Sequence, residues 1–261
     1  MNPPSPPEPP AAHGLLEEKV VVVTAAAGTG IGFATARRCA EEGAVVVLSD
    51  AHPRRLEEAA DQIGEETGVR PLAVVCNVTD ERDVEGLYDR TVAEHGRIDV
   101  AVNNAGLGGT ALIVEMTDEQ WGAVLDVTLT GTFRCTRAAL RHMLGAGSGV
   151  IVNNASVLGW RAQAEQAHYA AAKAGVMALT RAAAAEGAAA GVRVNAVSPS
   201  LALHPFLNRV MSDDALDELR HHELFGRGAE TWEVANVIVF LASDYPSYMS
   251  GEVVSVSSQH P

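Results

Sequence analysis

The sequence predicts an α/β protein built on one doubly wound parallel sheet of seven strands, with helices on both faces. From Lys19 onward, short runs rich in β-branched residues alternate with longer, alanine-rich amphipathic stretches, which is typical of repeated strand–helix units. No linker rich in Pro, Gly or Ser divides the chain. A glycine-rich turn also joins the first strand to the first helix. We therefore expect a single Rossmann-like domain over residues 19–261.

Each expected strand is a short β-branched run that ends beside a turn or a helix. The seven expected strands are Val20–Thr24, Val45–Asp50, Leu72–Cys76, Asp99–Asn103, Val150–Asn154, Arg193–Val197 and Val253–Val256. Residues 198–228 fit neither pattern, and a clear helix begins only near Glu230. A segment of this length after a late strand is typical of a functional lid, so we expect residues 198–228 to cover the substrate.

The composition describes a globular chain and argues against several partners. Of 261 residues, 19 are Lys or Arg and 33 are Asp or Glu, which gives a formal net charge of −14. Because nucleic acids and anionic membranes carry phosphates, this charge disfavours both as partners. No apolar run approaches the roughly 20 residues of a membrane span. The three widely spaced cysteines are typical of a reducing compartment and not of a metal site, so we expect a cytoplasmic protein without a bound metal.

The N-terminal segment has a different composition from the rest of the chain. Met1 to Pro10 holds six of the twelve prolines and has no apolar core that could serve as a signal peptide. We therefore expect residues 1–18 to form a disordered, proline-rich tail.

The turn after the first strand reads Thr24-Ala25-Ala26-Ala27-Gly28-Thr29-Gly30-Ile31-Gly32. Glycines at such a turn let the backbone approach a diphosphate, whose charge the helix N-terminus stabilises. Alone, the turn is as compatible with an ordinary glycine loop. Asp50 ends the second strand, eighteen residues beyond Gly32, where a carboxylate can accept hydrogen bonds from ribose hydroxyls. Together the two features predict a dinucleotide site.

A second motif predicts proton-transfer chemistry. Tyr169 and Lys173 lie four residues apart on an expected helix, and Ser156 ends a buried strand thirteen residues before Tyr169. Positions i and i+4 share a helical face, so the Lys173 ammonium could lower the pKa of the Tyr169 phenol from about 10 towards neutrality. Ser156 could then hold the same substrate oxygen. An isolated pair at this spacing more often marks an amphipathic helix face.

Three further motifs occur in order with these two: Asn103-Asn104-Ala105-Gly106, Val194-Asn195-Ala196-Val197-Ser198-Pro199, and Phe240-Leu241-Ala242-Ser243. With all five, the chain resembles a classical short-chain dehydrogenase/reductase over essentially its whole length after residue 18. Within that family it is most similar to actinobacterial members that act on steroid-ring or acyl-thioester degradation intermediates.

The resemblance implies a role for each matching residue. Tyr169 would be the general acid and base, Lys173 the modifier of its pKa and a ribose ligand, and Ser156 the group that holds the substrate oxygen. Thr128 stands where the family's proton relay has an asparagine on its long helix. The expected cofactor-binding residues are Ala27, Gly28, Gly30, Ile31, Gly32, Asp50, Asn77, Val78, Asn104, Ala105, Gly106, Tyr169, Lys173, Pro199 and Ala202.

The chain departs from the family pattern at several positions. The glycine turn carries one extra residue and has Ala25 in place of its first glycine, so we expect a longer loop whose freedom Gly28 restores. Asn77 replaces an adenine-contacting aspartate and can still bond an adenine edge. The segment after the sixth strand reads Pro199-Ser200 with His204 in place of a threonine, and the chain ends in Val256-Ser257-Ser258-Gln259 rather than the family's Val-Asp-Gly-Gly.

The cofactor can be predicted from charge. NADP carries an additional phosphate on the adenosine ribose, which Asp50 would repel, and no basic residue lies between Thr24 and Gly32. Arg54 and Arg55 follow Pro53 and are better explained as the start of the next helix. We therefore expect NAD, with NADP less favoured.

The sequence restricts the substrate less tightly. The main expectation is a secondary alcohol or ketone on a hydroxyacyl thioester or a steroid-derived ring. The predicted lid has basic side chains that could bind an anionic group of the substrate: His204, Arg209, Arg220, His221, His222 and Arg227. A solvated charged helix explains these residues equally well. A 3-oxoacyl-carrier-protein reductase is the alternative, but residues 145–149 and 188–191 lack the charges that would receive an acidic carrier. A non-catalytic dinucleotide sensor would not need both Tyr169 and Lys173. The resemblance also implies a homotetramer.

Overall fold

The computed structural model of the protein describes residues 4–203 and 213–258. Its central sheet has seven parallel strands in the order β3-β2-β1-β4-β5-β6-β9. These strands are β1 (Val20–Thr24), β2 (Val45–Asp50), β3 (Leu72–Val75), β4 (Val100–Asn103), β5 (Gly149–Asn154), β6 (Val192–Pro199) and β9 (Val253–Val256). The predicted seven-stranded, doubly wound parallel sheet is confirmed, and the predicted strand limits differ only at their ends.

Helices cover both faces of the sheet. They are α1 (Ile31–Glu41), α2 (Pro53–Thr67), α3 (Glu81–His95), α4 (Asp118–Leu125), α5 (Gly131–Ala146), α6 (Ala167–Gly187), α7 (Asp213–His222) and α8 (Thr231–Ala242). A π-helical turn, Asp126–Thr130, joins α4 to α5, and short 3-10 turns lie at Val157–Gly159 and Ala188–Ala190. Single π turns inside helices are frequent at functional sites.

The core forms two apolar layers, one on each face of the sheet. β1 reads Val-Val-Val-Val-Thr and is buried throughout, because its alternate side chains pack against α1 and α8 on one face and against α3 and α5 on the other. Val22 pairs in register with Val47 of β2 and with Ala101 of β4. The chain therefore reverses its direction of winding between β1 and β4, and ligands of open α/β sheets bind at such a point.

A second, small sheet lies near the two ends of the predicted lid. In it β7 (Ala202–Leu203) pairs in parallel with β8 (Ala229–Glu230). Glu223, which follows α7, is buried and accepts hydrogen bonds from the Leu201 amide and the Ser258 hydroxyl. Several predicted lid residues lie outside the described part of the chain: His204, Phe206, Leu207, Arg209, Val210 and Met211.

Residues 10–15 of the N-terminal segment are bound to Arg38 of α1 and to Glu42, which follows α1. The Arg38 guanidinium donates to the Pro10 and Ala11 carbonyls, and the buried Glu42 carboxylate accepts from the amides of His13 and Leu15. Arg38 and Glu42 thus supply buried charged partners to residues 10–15, which belong to the segment predicted to be a disordered tail.

Two further findings concern the cysteines and the question of membrane-spanning helices and metal sites. Cys39, Cys76 and Cys135 are free and buried. Within residues 4–203 and 213–258, no helix is long and apolar enough to cross a membrane, and no cluster of side chains could hold a metal ion.

Candidate active site

Ser156, Tyr169 and Lys173 come together at the carboxyl end of β5 and the first turns of α6. Ser156 follows β5 and begins the 3-10 turn, where its Oγ accepts a hydrogen bond of 3.3 Å from the Leu158 amide. The Ser156 hydroxyl lies close enough to the Tyr169 phenol to lower the pKa of the phenol. Lys173 lies one helical turn later, with Nζ 5.5 Å from the centre of the Tyr169 ring. The structure thus brings together the three residues that the sequence proposed for proton transfer.

Burial dominates the electrostatics of this group. Burial raises the pKa of Tyr169, and the nearby Ser156 hydroxyl offsets part of the effect. It also lowers the pKa of Lys173 from 10.5 to about 8. The lowering of the Tyr169 pKa that we expected from Lys173 is therefore not seen. The Lys173 ammonium donates instead to the Asn154 carbonyl, at 2.5 Å.

Thr128 lies in the π-helical turn, fully buried, and fastens the loop after β4. Its Oγ1 accepts from the Leu107 amide at 2.9 Å and donates to the Leu107 carbonyl at 3.1 Å. Gly106 lies between Thr128 and Lys173: a Cβ on Gly106 would be 3.6 Å from Lys173 Nζ and 3.8 Å from Thr128 Oγ1. Thr128 is thus close to the catalytic candidates, but its single hydroxyl proton is committed to Leu107.

The glycine turn forms a cradle in front of α1. Gly30 caps α1 without any side-chain hydrogen bond, so the amides of the first turn, from Ile31 onward, have no side-chain acceptor. Gly32 has no room for a side chain, since a Cβ there would lie 2.3 Å from the Ala25 carbonyl oxygen. Gly28 has φ of +116°, and Ala25 itself adopts a left-handed conformation with φ of +51°. Gly28 thus has the backbone conformation that favours glycine, as expected, and Ala25 adds a left-handed residue that the sequence did not predict.

Asp50 ties the end of β2 to this cradle. Its Oδ2 accepts from the Ala27 amide at 3.2 Å and its Oδ1 from the His52 amide at 3.0 Å. Burial raises the pKa of Asp50, while the Ala27 bond and the nearby Arg55 charge oppose that shift. The carboxylate keeps unused lone pairs beside the turn, as a ribose ligand requires.

The other predicted cofactor residues lie along the same carboxyl edge. Asn77 is exposed, with its Oδ1 bonded to the Thr79 amide, and Val78 is buried against Gly131 of α5. Ala105 donates its amide to Thr24 Oγ1 at 3.3 Å. The remaining two, Pro199 and Ala202, lie at the end of β6 and in β7.

Asn154, which the sequence analysis did not single out, belongs to the site. Its Nδ2 donates to Asn104 Oδ1 at 2.9 Å, and Asn104 Nδ2 donates to the Ala25 carbonyl at 3.1 Å. A possible signal was the pair Asn153-Asn154 at the end of a strand that is otherwise apolar.

Most described cations of the predicted lid are already paired. Arg227 binds the Glu233 carboxylate through both terminal nitrogens, at 2.7 and 2.9 Å. Arg220 binds Asp217 at 2.6 Å, and the His221 ring contacts the Asp217 carbonyl. His222 is exposed, and the predicted His204 and Arg209 lie outside the described residues.

The donor set fits a nicotinamide dinucleotide. The cradle offers free helical amides and a close backbone approach for a diphosphate, and the Asp50 carboxylate beside it keeps acceptor positions that could bind a ribose hydroxyl. Lys173 and Tyr169 lie further along the same edge, beyond Asn104 and Asn154.

Comparisons with known proteins agree with this geometry. A family model described as enoyl-(acyl carrier protein) reductase matches residues 25–258. The (5R,7aS)-5-hydroxy-7a-methyl-1-oxo-2,3,5,6,7,7a-hexahydro-1H-indene-carboxyl-CoA reductase of Mycobacterium tuberculosis (strain ATCC 25618 / H37Rv) is 62% identical over 252 residues, which cover 96% of each chain. The cis-4-hydroxycyclohexanecarboxylate dehydrogenase of Sinomonas cyclohexanicum is 45% identical over 243 residues, covering 92% of this chain and 95% of the relative.

Two further matches are a reductase and a solved structure. The 3-oxoacyl-acyl-carrier-protein reductase FabG of Thermotoga maritima is 39% identical over 246 residues, covering 92% of this chain and 97% of the relative. The crystal structure of a short chain dehydrogenase from Mycobacterium smegmatis superposes with a TM-score of 0.88 at 58% identity, covering 98% of this chain and 99% of that one. The chain therefore belongs to the classical short-chain dehydrogenase/reductase family, and it is an oxidoreductase that interconverts secondary alcohols and ketones with a nicotinamide dinucleotide.

Proposed function

We propose that the protein oxidises or reduces a ring-borne hydroxyl or keto group on a substrate that carries a coenzyme A thioester, with NAD as its cofactor. The chemistry is supported by the grouping of Ser156, Tyr169 and Lys173: the Ser156 hydroxyl acts on the Tyr169 phenol, and Lys173 Nζ lies 5.5 Å from the centre of the Tyr169 ring. The observation that carries the substrate class is the 62% identity to a reductase named for an indene-carboxyl-CoA substrate.

Tyr169 acts as the general acid and base at the reacting oxygen. Ser156 holds the same oxygen by a hydrogen bond, so that it meets the phenol in a fixed orientation. Lys173, charged below a pH of about 8, lies beside the Tyr169 ring, and its ammonium, held by the Asn154 carbonyl, would bind a ribose hydroxyl of the cofactor. The bound nicotinamide supplies the hydride acceptor or donor. Thr128 acts indirectly, by holding the loop that contains Gly106 against Lys173.

The cofactor would occupy the carboxyl edge of β1, β2 and β4. The diphosphate would contact the amides from Gly28 to Gly32, and Asp50 would accept hydrogen bonds from the adenosine ribose. The adenine would lie near Asn77 and Val78, the ribose and nicotinamide near Asn104–Gly106 and Lys173, and the carboxamide near Pro199 and Ala202.

The choice of NAD over NADP follows from Asp50. Its carboxylate would repel the 2′-phosphate of NADP at close range, and both of its oxygens are oriented by backbone amides that hold it at the ribose position. Arg55 is close enough to act on Asp50, so it favours the ionised carboxylate. Comparing kcat/KM for NAD and NADP tests this choice.

The substrate proposal has a defined alternative. The family-model description and the FabG relative favour an acyl carrier protein as the group that bears the substrate. Against it, the surfaces at residues 145–149 and 188–191 carry no charge, and the chain has a net charge of −14. A substrate panel assayed with both cofactors decides between coenzyme A and carrier protein as the group that bears the substrate. The panel contains cyclic hydroxy-carboxylic acids, their coenzyme A thioesters, ring ketones, and 3-oxoacyl thioesters of coenzyme A and of carrier protein. Turnover that requires the carrier protein would overturn our proposal.

We further propose that residues 198–228 form a substrate lid and that the chain assembles as a cytoplasmic homotetramer. Large apolar side chains on the outer faces of α4 and α5 support an interface there: Trp121, Phe133 and Leu144 are each more than 40% exposed. Light scattering coupled to size-exclusion chromatography gives the mass in solution, and a monomer would contradict the proposal.

A further inference from the structure

The side chain of Asn154 lies between the two halves of the proposed cofactor site. Asn154 is the last residue of β5, and its backbone carbonyl accepts the Lys173 ammonium at 2.5 Å. Its side-chain Nδ2 points across the sheet to Asn104 at the end of β4, 2.9 Å from Oδ1. One residue thus contacts both the catalytic lysine and the strand next to the glycine turn.

The hydrogen bond from Asn154 to Asn104 leaves the side-chain oxygen of Asn154 unfavourably placed. Its Oδ1 is buried and has no hydrogen-bond partner within the described residues. An unpaired buried acceptor destabilises the folded state, so an apolar side chain would be favoured at this position if packing alone decided. What the amide provides in return is the hydrogen bond to Asn104.

That hydrogen bond fixes which way the Asn104 amide faces. Because Asn104 Oδ1 is occupied by Asn154, its Nδ2 must face the opposite side, where it donates to the carbonyls of Thr24 at 3.3 Å and Ala25 at 3.1 Å. If the amide turned over, its oxygen would face those two carbonyl oxygens, and the electrostatic attraction would become repulsion.

The Asn104 amide in turn holds the start of the glycine turn. Ala25 has a left-handed backbone, a conformation that alanine adopts reluctantly, and its carbonyl is bound by Asn104. Gly32, at the start of α1, closes on the same point: a Cβ there would lie 2.5 Å from Asn104 Nδ2. The position of the helical amides that face the diphosphate therefore depends on the Asn104 orientation.

We propose that Asn154 is a positioning residue that sets the conformation of the glycine turn through the Asn104 amide and so couples the diphosphate cradle to the strand end that anchors Lys173. This rests on the proposed cofactor site, but the turn conformation can be measured without any cofactor. The residue touches no reacting atom and acts only through Asn104 and Lys173.

The test compares Asn154→Val and Asn154→Asp with the wild type, using Thr180→Val as a matched control. Thr180 accepts a buried hydrogen bond from Asn153, the neighbouring residue, on the opposite face of the sheet, at 2.9 Å. Removing its hydroxyl perturbs the same strand end without reaching the glycine turn. Hydrogen exchange of the unliganded protein, NADH affinity by fluorescence titration, and the kcat and KM values for cofactor and substrate are measured for each variant.

We expect Asn154→Val to speed amide exchange in residues 26–33 and to weaken NADH binding by about 5- to 10-fold, the loss expected for one oriented hydrogen bond, with kcat changed far less. Asn154→Asp should weaken binding further, because its carboxylate repels Asn104 Oδ1 and turns the amide over. The same carboxylate should move the alkaline limb of the kcat profile upward, since it stabilises the Lys173 ammonium. Thr180→Val should leave the exchange of residues 26–33 and the NADH affinity unchanged.

Three results would overturn the proposal. Exchange and NADH affinity of Asn154→Val equal to the wild type would show that the amide orientation does not depend on Asn154. A uniform rise in exchange across the sheet, matched by Thr180→Val, would show a general structural role. Weakened binding with unchanged exchange in residues 26–33 would place the effect elsewhere. If Asn154→Val does not fold, Asn154→Ser is used in its place, because it also removes the hydrogen bond to Asn104. A wild type that fails to bind NADH would refute the proposed function, but the exchange of residues 26–33 could still be compared between the variants.

Discussion

Replacing Lys173 by methionine should make the protein more stable at neutral pH while abolishing its activity. Lys173 is 3% exposed, and burial lowers its pKa from 10.5 to about 8. Holding the ammonium charged at pH 7 therefore destabilises the folded state by about 3 kcal/mol. Methionine has a similar length and no charge, but it leaves the Asn154 carbonyl without its donor, which costs about 1–2 kcal/mol. The net expectation is a gain of about 1–2 kcal/mol.

The sign of this effect should depend on pH. Between pH 8 and 10.5 the unfolded chain binds a proton at Lys173 that the folded chain does not, so the stability of the wild type rises with pH across this window. Below pH 8 both states are protonated and the penalty is constant. Above pH 10.5 the penalty has vanished, and Lys173→Met should then be less stable than the wild type by the value of the lost hydrogen bond.

Urea unfolding at pH 7 and pH 10.5, at one protein concentration, measures both values. Lys19→Met is the matched control: Lys19 pairs with Asp244 at the surface, so its loss should change stability by no more than about 1 kcal/mol at pH 7. A Lys173→Met variant that is less stable than the wild type at pH 7, or whose advantage is the same at both pH values, would refute the assignment of Lys173 as a lysine held charged against burial.

Four other outcomes test the remaining proposals. Tyr169→Phe should lower kcat by about 10²-fold or more while NADH still binds, and a retained rate would refute Tyr169 as the acid and base. Asp50→Ala should lower kcat/KM for NAD relative to kcat/KM for NADP. A wild type that already prefers NADP would refute the role of Asp50 in cofactor choice. Gly32→Ala should destabilise the fold by about 1–3 kcal/mol, since its Cβ meets backbone and amide atoms within 2.5 Å, whereas Gly30→Ala, with open space around it, should remain near wild-type stability by urea unfolding. Amides of residues 213–226 should exchange faster than those of β5 without ligands and gain protection with NAD and a turned-over substrate, and strong protection in both states would exclude a lid.

The central fold follows from the sequence because the inner strands of the sheet are β-branched runs buried on both faces, while the edge strands β3 and β9 are only partly buried. β1 illustrates this: four valines in succession cannot be placed at the surface, and the glycine turn after them fixes where α1 begins. The sheet of β7 and β8 could not be predicted, since two residues per strand carry no periodicity and their pairing depends on how residues 200–229 turn. The contacts of the N-terminal segment were missed for a related reason, because they depend on the placement of Arg38 and Glu42 rather than on the proline-rich composition.

The candidate site also has features that the sequence predicts and features that it does not. Ser156, Tyr169 and Lys173 could be found from spacing alone, because helical periodicity brings the tyrosine and the lysine to one face. The direction of the Tyr169 pKa shift could not, since it depends on burial that no local motif encodes. The bridge from Asn154 to Asn104 joins residues fifty positions apart, so only the register of β4 and β5 reveals it.

Thr128 shows how a departure from the family pattern can leave the chemistry in place and change what the position does. In the π-helical turn the Thr128 hydroxyl donates its proton to the Leu107 carbonyl. The Thr132 hydroxyl donates to the backbone carbonyl of Thr128 at 2.7 Å. The Thr128 hydroxyl therefore has no free proton to donate, and only its one remaining lone pair could orient a water. In exchange, the loop from Asn104 to Leu107 is fastened at both ends, by Thr24 at its start and by Thr128 at its end. Since Gly106 in that loop borders Lys173, we propose that Thr128 fixes this loop beside Lys173 and the proposed cofactor edge.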